Sequence, residues 1–203
     1  MTSPIPPRAS GPVPARRSSQ ATVVPRRARI PLAWPMTLTV GALIVALAAQ
    51  VTIPVPGSPV PFTLQGLAVL LVGGLFGSAV GAGALVLYLI LGAFGLPVFA
   101  PMGPTGLARF AGPTGGYLLA FPFAAALVGR IAERRRLWRC LFGAFVGMAL
   151  IHLGGWAQLA ILDRGGSRAF LLGTAPFLLQ DLLKVVVVGA ILYRAHLALR
   201  LRS

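Results

Sequence analysis

Pro176-Phe177-Leu178-Leu179-Gln180-Asp181-Leu182-Leu183-Lys184-Val185-Val186-Val187-Val188 lies inside an apolar run from about Ala169 to Tyr193, long enough to cross a bilayer as a helix. Within that run stand an acid and the only lysine of the chain, whose other basic residues are 17 arginines. An ion at mid-bilayer costs roughly 2.5–3.5 kcal/mol on insertion scales, a cost that two apolar residues would not carry. Asp181 and Lys184 stand at i, i+3, so on a helix they share a face with about 4.5 Å of rise between them. Opposite charges so placed can pair and hold a bundle together, or can jointly grip one small polar ligand. Ionisable groups inside a span are functional-site candidates by default, which makes these two the first candidate residues.

The composition agrees with a membrane setting. Of 203 residues, 57% are hydrophobic and 10% charged, and the mean hydropathy is +0.85. A soluble domain has about a quarter of its residues charged. Glu133, Asp163 and Asp181 are the only acids, and the net charge is +15. That charge suggests nucleic acid at first sight, but the arginines cluster outside the apolar runs, the pattern of cytoplasmic flanks on a membrane protein. Nucleic acid is therefore not an expected partner. One cysteine, Cys140, rules out an internal disulfide and any cysteine cluster for a metal; it reads as a small packing residue.

Residues 1–31 are rich in Pro, Arg and Ser and show neither helical nor strand periodicity, so a disordered cytoplasmic tail is expected. Residues 32–203 then form a transmembrane domain, all-α with six helices. The first runs from about Trp34 to Thr52, with Gly41, Ala42, Ala46 and Ala49 as small residues that let another helix approach closely. Four prolines between Pro54 and Pro61 forbid a regular helix; the segment is apolar and suits a lid or a re-entrant loop packed on protein, with the polar Gln65 just beyond it. The second and third helices, about Thr63–Phe76 and Ala79–Leu96, are joined by a short turn. Gly73, Gly77 and Gly81 repeat every four residues across that join, a pattern that favours tight helix packing. A long loop from Gly95 to Gly112 holds the solitary Arg109. Gly112-Pro113-Thr114-Gly115-Gly116-Tyr117 opens the fourth helix, whose free N–H groups offer an anion cradle. A basic connection follows, then the fifth helix, about Leu137–Leu162. His152, Trp156 and Gln158 interrupt it; His152 reads as hydrogen-bonded between helices rather than as a ligand contact. No second His or acid lies at metal-ligand spacing from it.

With the N-terminus cytoplasmic, six spans leave 14 arginines on inside segments and three outside, which satisfies the positive-inside rule. The proline lid, the Arg109 loop and the outer half of the sixth helix then face outward, and a pocket open to that side follows. Asp181 is an acceptor and Lys184 a donor, so a cyclic urea or amide would satisfy both. Arg109 is placed to meet a carboxylate with a two-pronged contact. Phe99, Phe110, Tyr117 and Trp156 are candidate apolar walls. The expected ligand is small and amphipathic, with a polar ring and an anionic tail.

Ile53-Pro54-Val55-Pro56-Gly57-Ser58-Pro59-Val60-Pro61-Phe62-Thr63-Leu64-Gln65, Gly95-Leu96-Pro97-Val98-Phe99, Gly112-Pro113-Thr114-Gly115-Gly116-Tyr117-Leu118 and Asp181-Leu182-Leu183-Lys184 together resemble the BioY family, biotin-binding S components of energy-coupling factor (ECF) transporters. The resemblance runs from about Met36 to Tyr193. It implies a six-helix S-component bundle in the cytoplasmic membrane of a prokaryote, with both termini cytoplasmic. It also implies high-affinity capture of biotin, and partners: a coupling membrane subunit with two ATP-binding-cassette ATPases. It carries Asp181 and Lys184 to the ureido ring, and Ala42 and Ala46 to the contact with the coupling subunit. The loop from Ala100 to Arg109 is less glycine-rich than the family pattern, and the N-terminal tail departs from it.

The chain has no Gly-x-x-x-x-Gly-Lys-Ser/Thr phosphate loop, so an ATP-driven role needs partners. A proton- or cation-coupled carrier for biotin or a similar vitamin is the alternative, with Asp181 as its coupling acid. An enzyme would need a nucleophile–base pair or paired carboxylates, and three scattered acids supply neither. No cofactor or metal is expected.

Overall fold

The structure, a computed structural model, describes residues 33–134, 136–162 and 165–200. The tail expected over residues 1–31, together with Arg135, Asp163, Arg164 and Arg202, lies outside the described residues. Helix α1 (Ala33–Gln50) leads into strand β1 (Thr52–Ile53), and the proline segment returns it to strand β2 (Phe62–Thr63). The two strands form one antiparallel rung, Thr52 opposite Thr63 and Ile53 opposite Phe62. Then come α2 (Gln65–Phe76), α3 (Ser78–Ala93), the short α4 (Ala108–Ala111), α5 (Gly115–Ala132), α6 (Leu137–Leu162), α7 (Gly166–Gly173), a 3-10 turn (Ala175–Phe177) and α8 (Leu178–Arg200).

Among the described residues, three stretches are long and apolar enough to cross a membrane: Gly115–Ala132, Leu137–Leu162 and Gly166–Ala198. α2 and α3 are apolar but shorter, and α1 is apolar over Trp34–Gln50. At 12 residues, α2 rises about 18 Å against a hydrocarbon core of about 30 Å. Large apolar side chains stand exposed on every long helix, among them Leu47, Val86, Phe123, Phe145, Leu179 and Leu183. A helix bundle apolar on its outside as well as its inside belongs in lipid.

α5 is central, packed against α6, α3 and α2; α8 lies on α6 and α2, and α1 lies on α3 and α2. The glycine series seats this packing at two of its three positions. A Cβ on Gly73 would lie 2.4 Å from the Ala125 carbonyl oxygen of α5, and one on Gly81 would lie 2.7 Å from Gly73 Cα. Gly77 instead makes the turn between α2 and α3 at a φ of +84°, which a side chain would strain.

One expectation needs correction. The apolar run Ala169–Tyr193 is not one helix: it breaks between Gly173 and Leu178. Pro176 supplies no N–H to the Leu172 carbonyl four residues back. Ser58 of the proline segment fills the vacancy, its hydroxyl donating to Leu172 O at 2.6 Å, and the Tyr117 hydroxyl of α5 caps Gly173 O. Asp181 therefore sits in the first turn of α8 rather than two turns into a continuous span. Ala42 and Ala46 are buried within this chain, as are Val45 and Ala49, because this face packs on α2 and α3. The outer face of α1 carries Met36, Val40, Leu43 and Leu47.

Gly73→Val is expected to destabilise the bundle by about 1–3 kcal/mol or more, since an inserted side chain must force α2 off α5. Thermal unfolding in detergent reads this. Gly66→Ala, whose Cβ would meet Met148 at an ordinary 3.6 Å, is the tolerated control. Equal midpoints for the two variants would show that the α2–α5 contact relaxes freely.

Candidate functional site

A cavity of about 80 Å³ lies at the end of the bundle where α2, α5 and α8 begin. One water centre needs about 10–15 Å³, so the space holds more than one small polar group. Val60, Pro61, Phe62 and Thr63 of the proline segment line it, with Phe121 and Phe177 as apolar walls. Of the residues singled out by sequence, Gln65, Arg109, Tyr117, Asp181 and Lys184 face it. They come from α2, α4, α5 and α8, so only the assembled bundle brings them together.

The ion pair forms. Lys184 Nζ stands 2.7 Å from Asp181 Oδ1. It also donates to the Thr63 carbonyl at 2.9 Å and lies 4.2 Å from the centre of the Phe62 ring. Lys184 thus ties strand β2 of the lid to α8. An ammonium over an aromatic face with two oxygens beside it is well compensated for burial. The other carboxylate oxygen, Asp181 Oδ2, lies 2.8 Å from His152 Nε2 of α6. His152 is the inter-helix hydrogen bonder expected from sequence, and it also lines the cavity. Only the fold shows that its partner is Asp181.

Gln65 donates to the Tyr88 hydroxyl at 2.6 Å, leaving its carbonyl oxygen for other partners. Arg109 is 3% exposed and largely engaged by its own loop. Its Nη2 donates to Ala100 O at 2.8 Å, and its Nη1 donates to Met102 O. Nε is buried and meets no partner among the described residues. Burial pushes the guanidinium pKa down from its ordinary value, yet an arginine remains charged in a protein. Arg109 therefore organises the loop from Ala100 to Pro104 as well as facing the cavity.

Of the four aromatic walls expected, only Tyr117 lines the space. Phe99 and Phe110 stack edge-on with each other behind it, 5.8 Å between centroids, and Trp156 donates to Gly166 O at 3.0 Å. Phe62, Phe121 and Phe177 take those places; nothing in their spacing marked them. The glycines before Tyr117 serve packing: a Cβ on Gly116 would lie 2.1 Å from Gly154 O on α6. Within the expected anion cradle, only Thr114 and Tyr117 line the cavity. Gln158 of α6 secures the loop end by donating to Phe110 O and Gly112 O, each at 2.7 Å. Among the described residues no cluster of His, Cys, Asp or Glu has the makings of a metal site.

Comparison with known proteins gives the family and the fold. A family model described as the BioY family matches residues 26–201. A protein of Pyrococcus horikoshii named a probable biotin transporter BioY is 40% identical over 156 residues, covering 75% of this chain and 91% of that protein. The biotin transporter BioY of Thermotoga maritima is 37% identical over 143 residues, covering 70% and 84% respectively. A crystal structure of the S-component for biotin from an ECF-type ABC transporter has the same fold, with a TM-score of 0.73 at 23% identity, over 80% of this chain and 90% of that one.

The pair geometry carries a stability prediction. Removing one member of a buried ion pair leaves an uncompensated charge, at a cost of about 3–5 kcal/mol. Asp181→Asn and Lys184→Met are each expected to unfold earlier in detergent. The double variant Asp181→Asn/Lys184→Met is expected to regain most of that loss. A double variant no more stable than the singles would show that the two charges do not compensate each other.

Proposed function

This chain belongs to the BioY family, and we propose on that footing that it captures biotin and carries it across the membrane as the substrate-binding component of an ECF-type ABC transporter. The observation that carries the reading is the Asp181–Lys184 pair lining a cavity under a proline lid. Biotin has a bicyclic ureido head and a valerate tail. The head's N–H groups would donate to the Asp181 carboxylate, and its carbonyl would accept from Lys184, so one ligand neutralises both partners without leaving a donor bare. The tail carboxylate would meet Arg109, whose Nε–H is a donor not taken by its loop. Gln65 and Tyr117 would complete the polar lining, and Phe62, Phe121 and Phe177 would cover the hydrocarbon.

The family is one of transporters, and the chain is read as a transporter component rather than an enzyme. Six crossings of the cytoplasmic membrane, with both termini inside, would put the lid and cavity outward. Arg130, Arg134, Arg136, Arg139 and Arg194 would then lie at the inner end of the bundle, among anionic headgroups. ATP hydrolysis would come from two ABC ATPases joined through a coupling membrane subunit. The free apolar face of α1, with Met36, Val40, Leu43 and Leu47, is the side of that helix open to lipid or to such a subunit.

Equilibrium binding of radiolabelled biotin to the purified chain tests the site. Asp181→Asn and Lys184→Met are each expected to weaken binding at least about 100-fold, the scale of a lost charge-assisted contact that also strands its partner. Wild-type affinity in both would remove the site assignment. Arg109→Lys is expected to weaken biotin by more than about tenfold while weakening biotin amide less, because the guanidinium fork meets only the charged tail. Equal losses for the two ligands would confine Arg109 to holding its loop. Uptake that collapses with an uncoupler while ATP is held constant would favour a proton-coupled carrier instead.

A further inference from the structure

Asp181 stands between two spaces. On one side is the cavity it shares with Lys184. On the other is an apolar groove of about 480 Å³ between α6, α7 and α8, lined by Phe145, Leu153, Trp156, Phe170 and Leu182. His152 and Asp181 line both spaces, whereas Lys184 lines only the cavity. A carboxylate oxygen turned toward the groove without a donor would face hydrocarbon, which is costly. His152 Nε2 holds Oδ2 at 2.8 Å, while Oδ1 is kept for Lys184 at 2.7 Å.

A carboxylate only accepts, so Nε2 must carry the proton. His152 Nδ1 is buried and meets no partner among the described residues. The charged or titratable groups around it are Asp181 and Lys184 on α8 and Tyr117 on α5, whose ring stands edge-on with centroids 6.2 Å apart. The Tyr117 hydroxyl is itself engaged with Gly173 O.

The geometry points to His152 as a positioning residue of the binding site: it holds Oδ2 of Asp181 and so fixes the carboxylate rotamer that presents the other oxygen to Lys184 and to the ligand's ring. The inference rests on the reading that Asp181 meets the ligand. It concerns binding selectively, since His152 would act through Asp181 on the ring end of the ligand and not on its tail.

Side-chain geometry supplies the test. A glutamine amide nitrogen falls near the place of Nε2, an asparagine nitrogen near that of Nδ1. Binding of radiolabelled biotin, competition by biotin amide, and thermal unfolding without ligand are measured on the full chain in detergent for His152→Gln, His152→Asn and His152→Leu. His152→Leu and His152→Asn are expected to weaken biotin by about tenfold or more, the scale of one lost hydrogen bond to a charged group. They are expected to weaken biotin amide by the same factor. His152→Gln is expected to restore binding to within about fivefold of the unsubstituted chain. Wild-type affinity in His152→Leu, or equal weakness in Gln and Leu variants that unfold at the same temperature, overturns the inference. If Asp181→Asn loses biotin while His152→Leu keeps it, the positioning role alone fails. If Asp181→Asn also keeps wild-type affinity, the site reading fails and the inference with it.

Discussion

A carboxylate and an ammonium enclosed in an apolar bundle must each find several partners, and the search for those partners organises this molecule. Lys184 reaches Asp181, the Thr63 carbonyl and the Phe62 ring. Asp181 reaches Lys184 and His152. The lid strand, α6 and α8 are thereby bound to one charge cluster. Desolvation makes that cluster an expensive way to hold helices together, since apolar residues of similar volume would serve stability as well or better. The cavity beside the pair would give the charges a second use: a ligand with both donors and an acceptor would replace the pairing with contacts of equal number.

The helix break before α8 belongs to the same arrangement. A continuous helix through Ala169–Tyr193 would have an intact hydrogen-bond ladder and nothing for the lid to hold. Pro176 removes one N–H, and the freed Leu172 carbonyl becomes the anchor for Ser58. The neighbouring Gly173 carbonyl takes the Tyr117 hydroxyl. Non-helical backbone at such a place is tolerated only where protein satisfies it, and here the satisfying groups come from two of the elements that bound the cavity. The lid is therefore fastened at two points, Ser58 and Thr63, both reaching toward the last two helical segments.

Small residues set the remaining distances. Gly73 against Ala125, and Gly116 against Gly154, bring α2 and α6 onto α5 at backbone contact. Without those approaches the residues of α2, α5, α6 and α8 that line the cavity would stand too far apart to share one ligand. Arg109 adds a local constraint, gathering the carbonyls of its own loop while keeping its Nε–H unspent.

The amino-acid order alone was enough to show a membrane bundle, because a long apolar run and displaced arginines are properties of composition along the chain. It was also enough to show that Asp181 and Lys184 share a face, because helical rise and twist are local. The proline lid and the packing roles of Gly73 and Gly81 were legible for the same reason: each follows from what a residue type permits at its own position. Other features waited on the fold. That His152 meets Asp181, that Ala42 and Ala46 face inward, that Phe62, Phe121 and Phe177 wall the cavity while Phe99 and Phe110 stand behind it, and that Ser58 replaces the N–H missing at Pro176 are all contacts between distant segments. Each depends on how helices rotate about their axes and cross. Many weak packing contacts summed over the whole bundle set that rotation, and no single stretch carries it.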